Sequence, residues 1–574
     1  MPTDLFSPSA GLETYNLEPW ADRLRARLET WRQADVPRRI WDADPTVWIP
    51  DPRQAAQTTE LADRLGWLTS PADMAGKVGQ LTAFAAGAVR DGYREVVLLG
   101  MGGSSLAPEL YMRTYGAGGG LPLTVLDSTD PAAVSAVAAR IDPAHTLFLV
   151  SSKSGGTLET MSFFAFFWEK VSAKRADPGC SFAAITDPGS SLEKLAGERG
   201  FREVFPGPPT VGGRYSALTY FGLVPAALIG VDLEELLARG RRRAEACGPA
   251  VAPADNPGLA LGALLGELAL AGRDKVTFFL SPGISAFGGW VEQLIAESTG
   301  KEGKGILPVP EDAPGAPQDY GEDRLFVYLR LEGDENAALD AAWKALMHAG
   351  QPGVRVALAD KLDLGAEFFR WEMATAAAGA VLEINPFDQP NVALAKQKAG
   401  ELVEEFEKTG SLEAPEPVVT EGGLQLFGGA EGSIAASVAG QIADFLAQAA
   451  PGDYVALQAY LPPTAESEAT LRRMQERLRD RRRLAVTRGW GPRFLHSTGQ
   501  LHKGDGNRGL FLQITHHPEP DLPIPDQKYS FGVVITAQAQ GDFQALQETG
   551  RRVLRLHIEG DVPAGLEKIA RMLL

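Results

Sequence analysis

The segment Phe287 to Lys301, FGGWVEQLIAESTGK, places Glu297 one helical turn beyond Gln293 in a largely uncharged stretch, beside glycines that admit close ligand approach. A carboxylate in such a setting is a candidate general base. Two other segments supply what a base acting on an anionic substrate needs. One is a hydroxyl loop, SSKSGGT, at Ser151 to Thr157, and the other is a lysine box, NPFDQPNVALAK, ending at Lys396. Together they read as sugar-phosphate chemistry.

Two strand-to-turn-to-helix patterns are candidate phosphate sites. VVLLGMGGSSLAPEL, Val96 to Leu110, runs from an aliphatic strand through Gly100, Gly102 and Gly103 into a helix, and backbone N–H groups at a helix start attract anions. It lacks the third glycine and the later acid of the dinucleotide fingerprint, which disfavours a nucleotide. A tight connection without ligand is an equal alternative for this turn taken alone. TLFLVSSKSGGTLET repeats the pattern and gathers Ser152, Ser154 and Thr157 around Lys153. Hydroxyls, backbone donors and a nearby cation suit a phosphate dianion. The lysine precedes the glycines, so the order is not that of a P-loop. A serine-rich cap is the competing reading.

These two loops resemble the sugar isomerase (SIS) domain, and the wider set resembles the glucose-6-phosphate isomerase family. GMGGSS, SSKSGGTLET, VGGRYSALTYFG, WVEQLIAESTGK and NPFDQPNVALAK follow the family's order over residues 60 to 400. The resemblance implies an α/β fold with two SIS subdomains, each a parallel sheet flanked by helices, and metal-independent, cofactor-free aldose-ketose isomerisation of a hexose phosphate through a cis-enediol. It implies Glu297 as the base, Arg214 as the group that stabilises the enediolate, and Lys396 as an aid to ring opening, with Lys398 as a decoy. Gly103, Ser104, Ser152, Lys153, Ser154, Thr157, Gln293 and Gln389 are then substrate-binding. Activity on mannose 6-phosphate, or a non-catalytic sugar-phosphate sensor, are the alternative functions.

The family's ring-opening histidine ordinarily precedes the lysine box. Here His348 is the histidine between Glu297 and Lys396, in a helix without a matching motif, and it reads as structural. The box FLHSTGQLHKG nominates His496 instead, with His502 as its competitor. Imidazole suits the role because its unperturbed pKa, about 6.5, lies near working pH. The C-terminal region resembles the isomerase half of bifunctional transaldolase/glucose-6-phosphate isomerase chains, which leaves a separate transaldolase as a partner to consider. The family's assembly is a homodimer, and a histidine moved within the chain changes which subunit would supply it.

The elements that must position these residues follow from apolar patterning. Strands are expected at Glu95 to Leu99, Thr146 to Val150, Phe182 to Thr186, Lys275 to Leu280, Leu325 to Leu331 and Val354 to Leu358, alternating with helical stretches as in a parallel α/β fold. The expected organisation is a helical region over 1–60, a first SIS subdomain over 61–240, a second over 250–405 and a C-terminal α/β unit over 430–574. The stretch Arg239 to Pro257 separates the two sheets. In the last unit Tyr454 to Tyr460, Leu510 to Thr515 and Phe531 to Ala537 read as strands, and Ile434 to Gln448 and Ala465 to Arg483 as helices. The glycine-rich stretch Glu421 to Ser433 reads as a return into ordered structure.

Composition bounds the partners. The chain has 574 residues, 44% hydrophobic, with a formal net charge of −18. That charge argues against general nucleic-acid or anionic-membrane binding, and the basic run LRRMQERLRDRRR then reads as a solvated amphipathic helix. Two cysteines, Cys180 and Cys247, support neither a disulfide framework nor a metal cluster and fit a reducing cytoplasm. The N-terminus has no apolar core of a targeting peptide, and no window reaches the ~18 apolar residues of a membrane helix.

Overall fold

The computed structural model describes residues 5–311, 313–413, 415–429 and 433–573; residues 430–432, inside the glycine-rich stretch, lie outside the described residues. A short strand, Glu13–Tyr15 (β1), comes first. The runs Glu95–Gly100 (β2), Leu123–Leu126 (β3), Thr146–Ser151 (β4), Phe182–Thr186 (β5) and Glu203–Pro206 (β6) form a parallel sheet in the order β3-β2-β4-β5-β6. A second sheet contains Lys275–Leu280 (β7), Leu307–Pro310 (β8), Arg324–Leu331 (β9) and Gly353–Leu358 (β10), in the order β1-β10-β9-β7-β8. Its strands are parallel except for β1, which adds antiparallel to the edge. Every residue of β4 and of β7 is buried. Continuous burial, in place of alternation, is what a sheet covered by helices on both faces requires.

The two sheets share one apolar core, which runs from Leu98, Leu149 and Ile185 to Val276, Leu329 and Val356. The helix Leu364–Leu382 is buried along its whole length and packs on Pro257–Leu270. A Cβ at Gly262 would lie 2.6 Å from the Ala374 carbonyl, so the two helices approach backbone to backbone. The N-terminal region serves the second sheet: its helix Ala21–Gln33 directs Arg23 and Arg27 at the buried Glu267, 2.5 and 2.6 Å away. Arg239 to Pro257 lies in sequence between β6 and β7, as expected, and in the fold it also links the two sheets. Arg239 lies in the helix Leu233–Ala246 and pairs with Asp360 and Asp363, which ties the two halves together.

The third sheet contains Val419–Glu421 (β11), Leu424–Gly428 (β12), Tyr454–Tyr460 (β13), Ala485–Trp490 (β14), Gly509–His516 (β15) and Arg552–Ile558 (β16), in the order β11-β12-β16-β15-β13-β14. Strands β13 to β16 are parallel. The basic run is helical, Ala465–Arg482, with Leu471, Met474 and Leu478 buried. Its charge is partly consumed within the fold, because Arg473 pairs with Glu567 and the buried Arg479 with Glu311. Among the described residues no helix is long and apolar enough to cross a membrane.

One expected strand is a helix. Phe531 to Ala537 opens the helix Phe531–Glu548, because the Ser530 side chain caps it by accepting from Val533 N, and Asp521 accepts from Gly532 N at 2.7 Å. Phe531 and Val534 pack against the first unit, beside Phe163 and Phe166. Three-residue spacing buries one side of this segment, where a strand would need alternation. Ser530→Ala removes the cap and is expected to lower stability by about 1 kcal/mol. Denaturant unfolding of the two proteins measures the difference.

Candidate active site

Two tight turns meet over one cleft. After β2 the chain turns through Gly102, with φ +54°, into a 3-10 turn ending at Ser104. A Cβ at Gly103 would stand 2.1 Å from the Gly213 carbonyl oxygen, and one at Gly102 2.9 Å from His496 Cβ. Only glycine lets these three backbones converge. Arg214 follows directly, 3% exposed, and its guanidinium is fully committed. Nε donates to Ser298 Oγ at 2.8 Å, Nη2 to the Pro386 and Asp388 carbonyls at 2.7 and 3.0 Å, and Nη1 to Gln389 Oε1 at 3.1 Å. Nη1 also lies 3.4 Å from Glu297 Oε1.

Glu297 and Gln293 share a face of the helix Phe287–Thr299, and Gln293 Nε2 donates to Glu297 Oε2 at 3.0 Å and to the His496 carbonyl at 2.7 Å. Gln293 Oε1 is buried without a partner among the described residues. That acceptor is free for a ligand hydroxyl. The lysine box is anchored from below by Lys301, which the sequence did not single out. Its ammonium donates to the Asn385 and Asp388 carbonyls and to Asp388 Oδ1 at 2.6 to 2.7 Å. Burial, with Arg214 nearby, brings its pKa down to about 8.

The hydroxyl loop divides its residues. Ser154 and Thr157 line the cleft; Ser152, 2% exposed, does not, and its hydroxyl bonds Thr157 Oγ1 at 2.9 Å and accepts from Gly155 N at 3.1 Å. Thr157 is the N-cap of the helix Leu158–Ser172 and makes no capping bond, which leaves first-turn amides to a ligand. Lys153 also lines the cleft, and its Nζ lies 2.6 Å from Asp187. Burial pushes the lysine pKa down and the aspartate pKa up, each against its charged form. Arg64, unremarked in the sequence, lines the same end and hydrogen-bonds the Pro209 carbonyl at 2.9 Å.

The third unit supplies the remaining side. His496 ends the 3-10 turn Arg493–His496 after β14, and its Nε2 lies 2.9 Å from Glu159 Oε1. Gln538 Nε2, from the Phe531–Glu548 helix, donates to the same oxygen at 2.6 Å and its Oε1 accepts from Thr129 at 2.9 Å. Burial alone would raise the Glu159 pKa, but the charge and hydrogen bond of His496 hold it below the usual carboxylate value. His502 is elsewhere, buried against Phe511 and bonded to Gln458, where desolvation holds its pKa well below normal. His348 is exposed at the end of Ala337–His348. Lys398 pairs with Glu548 away from the cleft, whereas Lys396 lines it.

The resulting cleft has a volume of about 610 Å³ and is lined by Glu297, Arg214, Gln293, Gln389, Lys396 and His496, with Gly103, Ser104, Ser154 and Thr157 at the loop end. Among the described residues no group of three or more His, Cys, Asp or Glu side chains could hold a metal ion. Glu159 and Gln538 escaped notice in the sequence. Glu159 sits in the quoted loop motif as a buried acid at a helix start, a usable signal; Gln538 lies just beyond the segment misread as a strand. The paired parallel sheets and the site between them define a protein of the sugar isomerase fold.

A family model described as phosphoglucose isomerase matches residues 77–308. The glucose-6-phosphate isomerase of Rubrobacter xylanophilus is 30% identical over 358 residues, 54% of this chain and 82% of that protein. The probable glucose-6-phosphate isomerase of Methanococcus maripaludis is 27% identical, over 60% of this chain and 85% of that one. The crystal structure of a hypothetical protein from Thermus thermophilus superimposes with a TM-score of 0.59 at 25% identity, covering 68% of this chain and 99% of its own. A glucose-6-phosphate isomerase structure from Chlamydia trachomatis gives a TM-score of 0.55 at 19% identity, over 72% and 94%, and supports the fold. This chain belongs to the phosphoglucose isomerase family.

Because the Gly103–Gly213 contact sets where Arg214 stands, Gly103→Ala is expected to displace the arginine and lower kcat/KM on a hexose phosphate by about 100-fold, the scale of a misplacement near 1 Å. Steady-state kinetics, with circular dichroism to verify folding, measure this.

Proposed function

We propose that this protein interconverts glucose 6-phosphate and fructose 6-phosphate through a cis-enediol, with Glu297 as the base. The observation that carries the reading is the Glu297 carboxylate itself: 13% exposed, hydrogen-bonded by Gln293 and 3.4 Å from a buried arginine, in a cleft whose far end is an uncapped helix start with hydroxyls. A phosphate is held at that end by Ser154, Thr157 and backbone amides, with Arg64 adding charge. The sugar then extends toward Glu297.

His496 protonates the ring oxygen, and Lys396 assists as the ring opens. Glu159 orients the imidazole and stabilises its cationic form, and Gln538 fixes Glu159. Glu297 removes the proton from C2 of the open-chain glucose 6-phosphate and returns it to C1, giving fructose 6-phosphate. The negative charge that develops on the enediolate oxygens is met by Arg214, whose own hydrogen bonds keep it in place without reorganisation. Gln293 and Gln389 contact sugar hydroxyls. All of these groups come from one chain, so isomerisation does not call on a partner subunit's histidine.

In deuterated water, NMR of fructose 6-phosphate with the purified protein is expected to show glucose 6-phosphate deuterated at C2, formed by the wild type and not by Glu297→Gln. Substrate binding without deuterium incorporation by the wild type would overturn the reading in favour of a sensor. Gln538→Leu removes one hydrogen bond to a charged group and is expected to cost about tenfold in kcat on ring-closed substrate with little change in KM.

A further inference from the structure

The third sheet has two unlike faces. One carries Leu457, Leu512, Ile514, Leu554, Leu556 and Ile558 into an apolar core. The other is apolar near Ala456, Phe511 and Val553 and becomes polar, although covered, toward the carboxyl ends of β13, β15 and β16. In parallel register Gln513 stands beside Arg555, and one step toward the carboxyl edge Tyr460, Thr515 and His557 form a row. Over this row lies a cavity of about 1020 Å³, roofed by the Phe531–Glu548 helix and larger than the catalytic cleft. It sits at the carboxyl ends of parallel strands where the order reverses: the chain passes from β13 to β14 on one side and returns to β15 on the other. In open α/β sheets that crevice is where ligands bind.

Three polar groups on the cavity wall have unfilled hydrogen-bonding capacity. Tyr460 is 2% exposed and its hydroxyl has no partner among the described residues; Gln540 Oε1 is likewise buried and unpaired. Arg555, 5% exposed, donates from Nε to Gln513 at 2.7 Å and from Nη2 to the Ala539 carbonyl at 2.9 Å, and packs over the Phe543 ring. Among the described residues it has no carboxylate ion pair, and Nη1 has no hydrogen bond. Burial brings its pKa down to about 10, against the opposing influence of Tyr460 and Asp542 nearby. The acids at the rim are spent elsewhere: Asp521 caps the roof helix and Glu519 pairs with His517.

We propose that this cavity is a second ligand site, separate from the catalytic cleft, for a small molecule bearing a phosphate or carboxylate group and a hydroxyl. Arg555 and Tyr460 take the oxyanion, and Gln540 accepts from the hydroxyl. A buried guanidinium and two buried unpaired polar atoms each cost stability unless something binds them. Their convergence on one cavity indicates a shared ligand.

The test is isothermal titration of the full chain with inorganic phosphate. Wild type is expected to bind two phosphates, the doubly substituted cleft variant Ser154→Ala/Thr157→Ala to keep the site at Arg555, and Arg555→Met to keep the cleft site alone. Succinate titrated into the cleft variant separates the two chemistries: binding there assigns a carboxylate ligand, and its absence with phosphate retained assigns a phosphate. Tyr460→Phe guards against misfolding, since the hydroxyl it removes has no internal partner. It is expected to fold and isomerise as wild type does while weakening the second site about fivefold, the effect of one hydrogen bond. A wild type that binds one anion, or a second site unaffected by both Arg555→Met and Tyr460→Phe, would overturn the proposal.

Discussion

The buried carboxylate of Glu159 is the constraint around which the site is arranged. It lies in the first turn of the Leu158–Ser172 helix, 5% exposed, where an unpaired charge would cost several kcal/mol. Its partners, His496 at 2.9 Å and Gln538 at 2.6 Å, both belong to the third unit. The first sheet therefore depends on the C-terminal unit to satisfy one of its own side chains. Docking of the units and assembly of the site are the same event.

The docking is made tight by small residues. A Cβ at Gly541 would stand 2.7 Å from Ala399 N, so the roof helix lies against the helix that carries Lys396. A Cβ at Gly300 would meet Leu501 Cα at 2.3 Å, which brings the end of the Glu297 helix against the segment that follows His496. Base, lysine and histidine come from separate parts of the chain and are held in register by backbone contacts of this kind. Side chains at such positions would open the cleft.

The third sheet stands apart in its chemistry. The first two bury mainly apolar side chains, aliphatic and aromatic, on both faces, whereas the third pairs one aliphatic face with a face that ends in a layer of glutamine, arginine, tyrosine and histidine. Some of that layer bonds internally: Gln458 bonds His502, and Lys503 pairs with Asp542 at 2.5 Å, although Gln458 Oε1, His502 Nε2 and Asp542 Oδ2 have no partner among the described residues. Tyr460, Arg555 and His557 border the cavity under the roof helix. Buried polar layers specify a unique packing only when their members are satisfied, and this one is incomplete until a ligand is present.

Local pattern in the sequence determined a good deal of this protein. Apolar runs bounded by glycine, proline or aspartate marked β5, β7 and β13 to the residue, and the order of five motifs marked the fold and most of the cleft, Glu297, Arg214 and Lys396 among them, with a separate histidine box marking His496. Strands β3, β6 and β8 went unseen, since runs as short as LTVL, EVFP and LPVP carry too few side chains to show a period; the longer β14 and β16, interrupted by arginine, went unseen as well. The segment FGVVITA has strand composition, and its helix was decided by the Ser530 cap and by packing against Phe163 and Phe166. Only the tertiary structure could show that Lys153 is neutralised by Asp187, that Ser152 lies beneath its loop, and that Gln538 reaches Glu159 across 379 positions of sequence. Periodicity and motif order are written into neighbouring residues. Charge compensation between distant side chains exists once folding has brought them together in a medium where water cannot do the work instead.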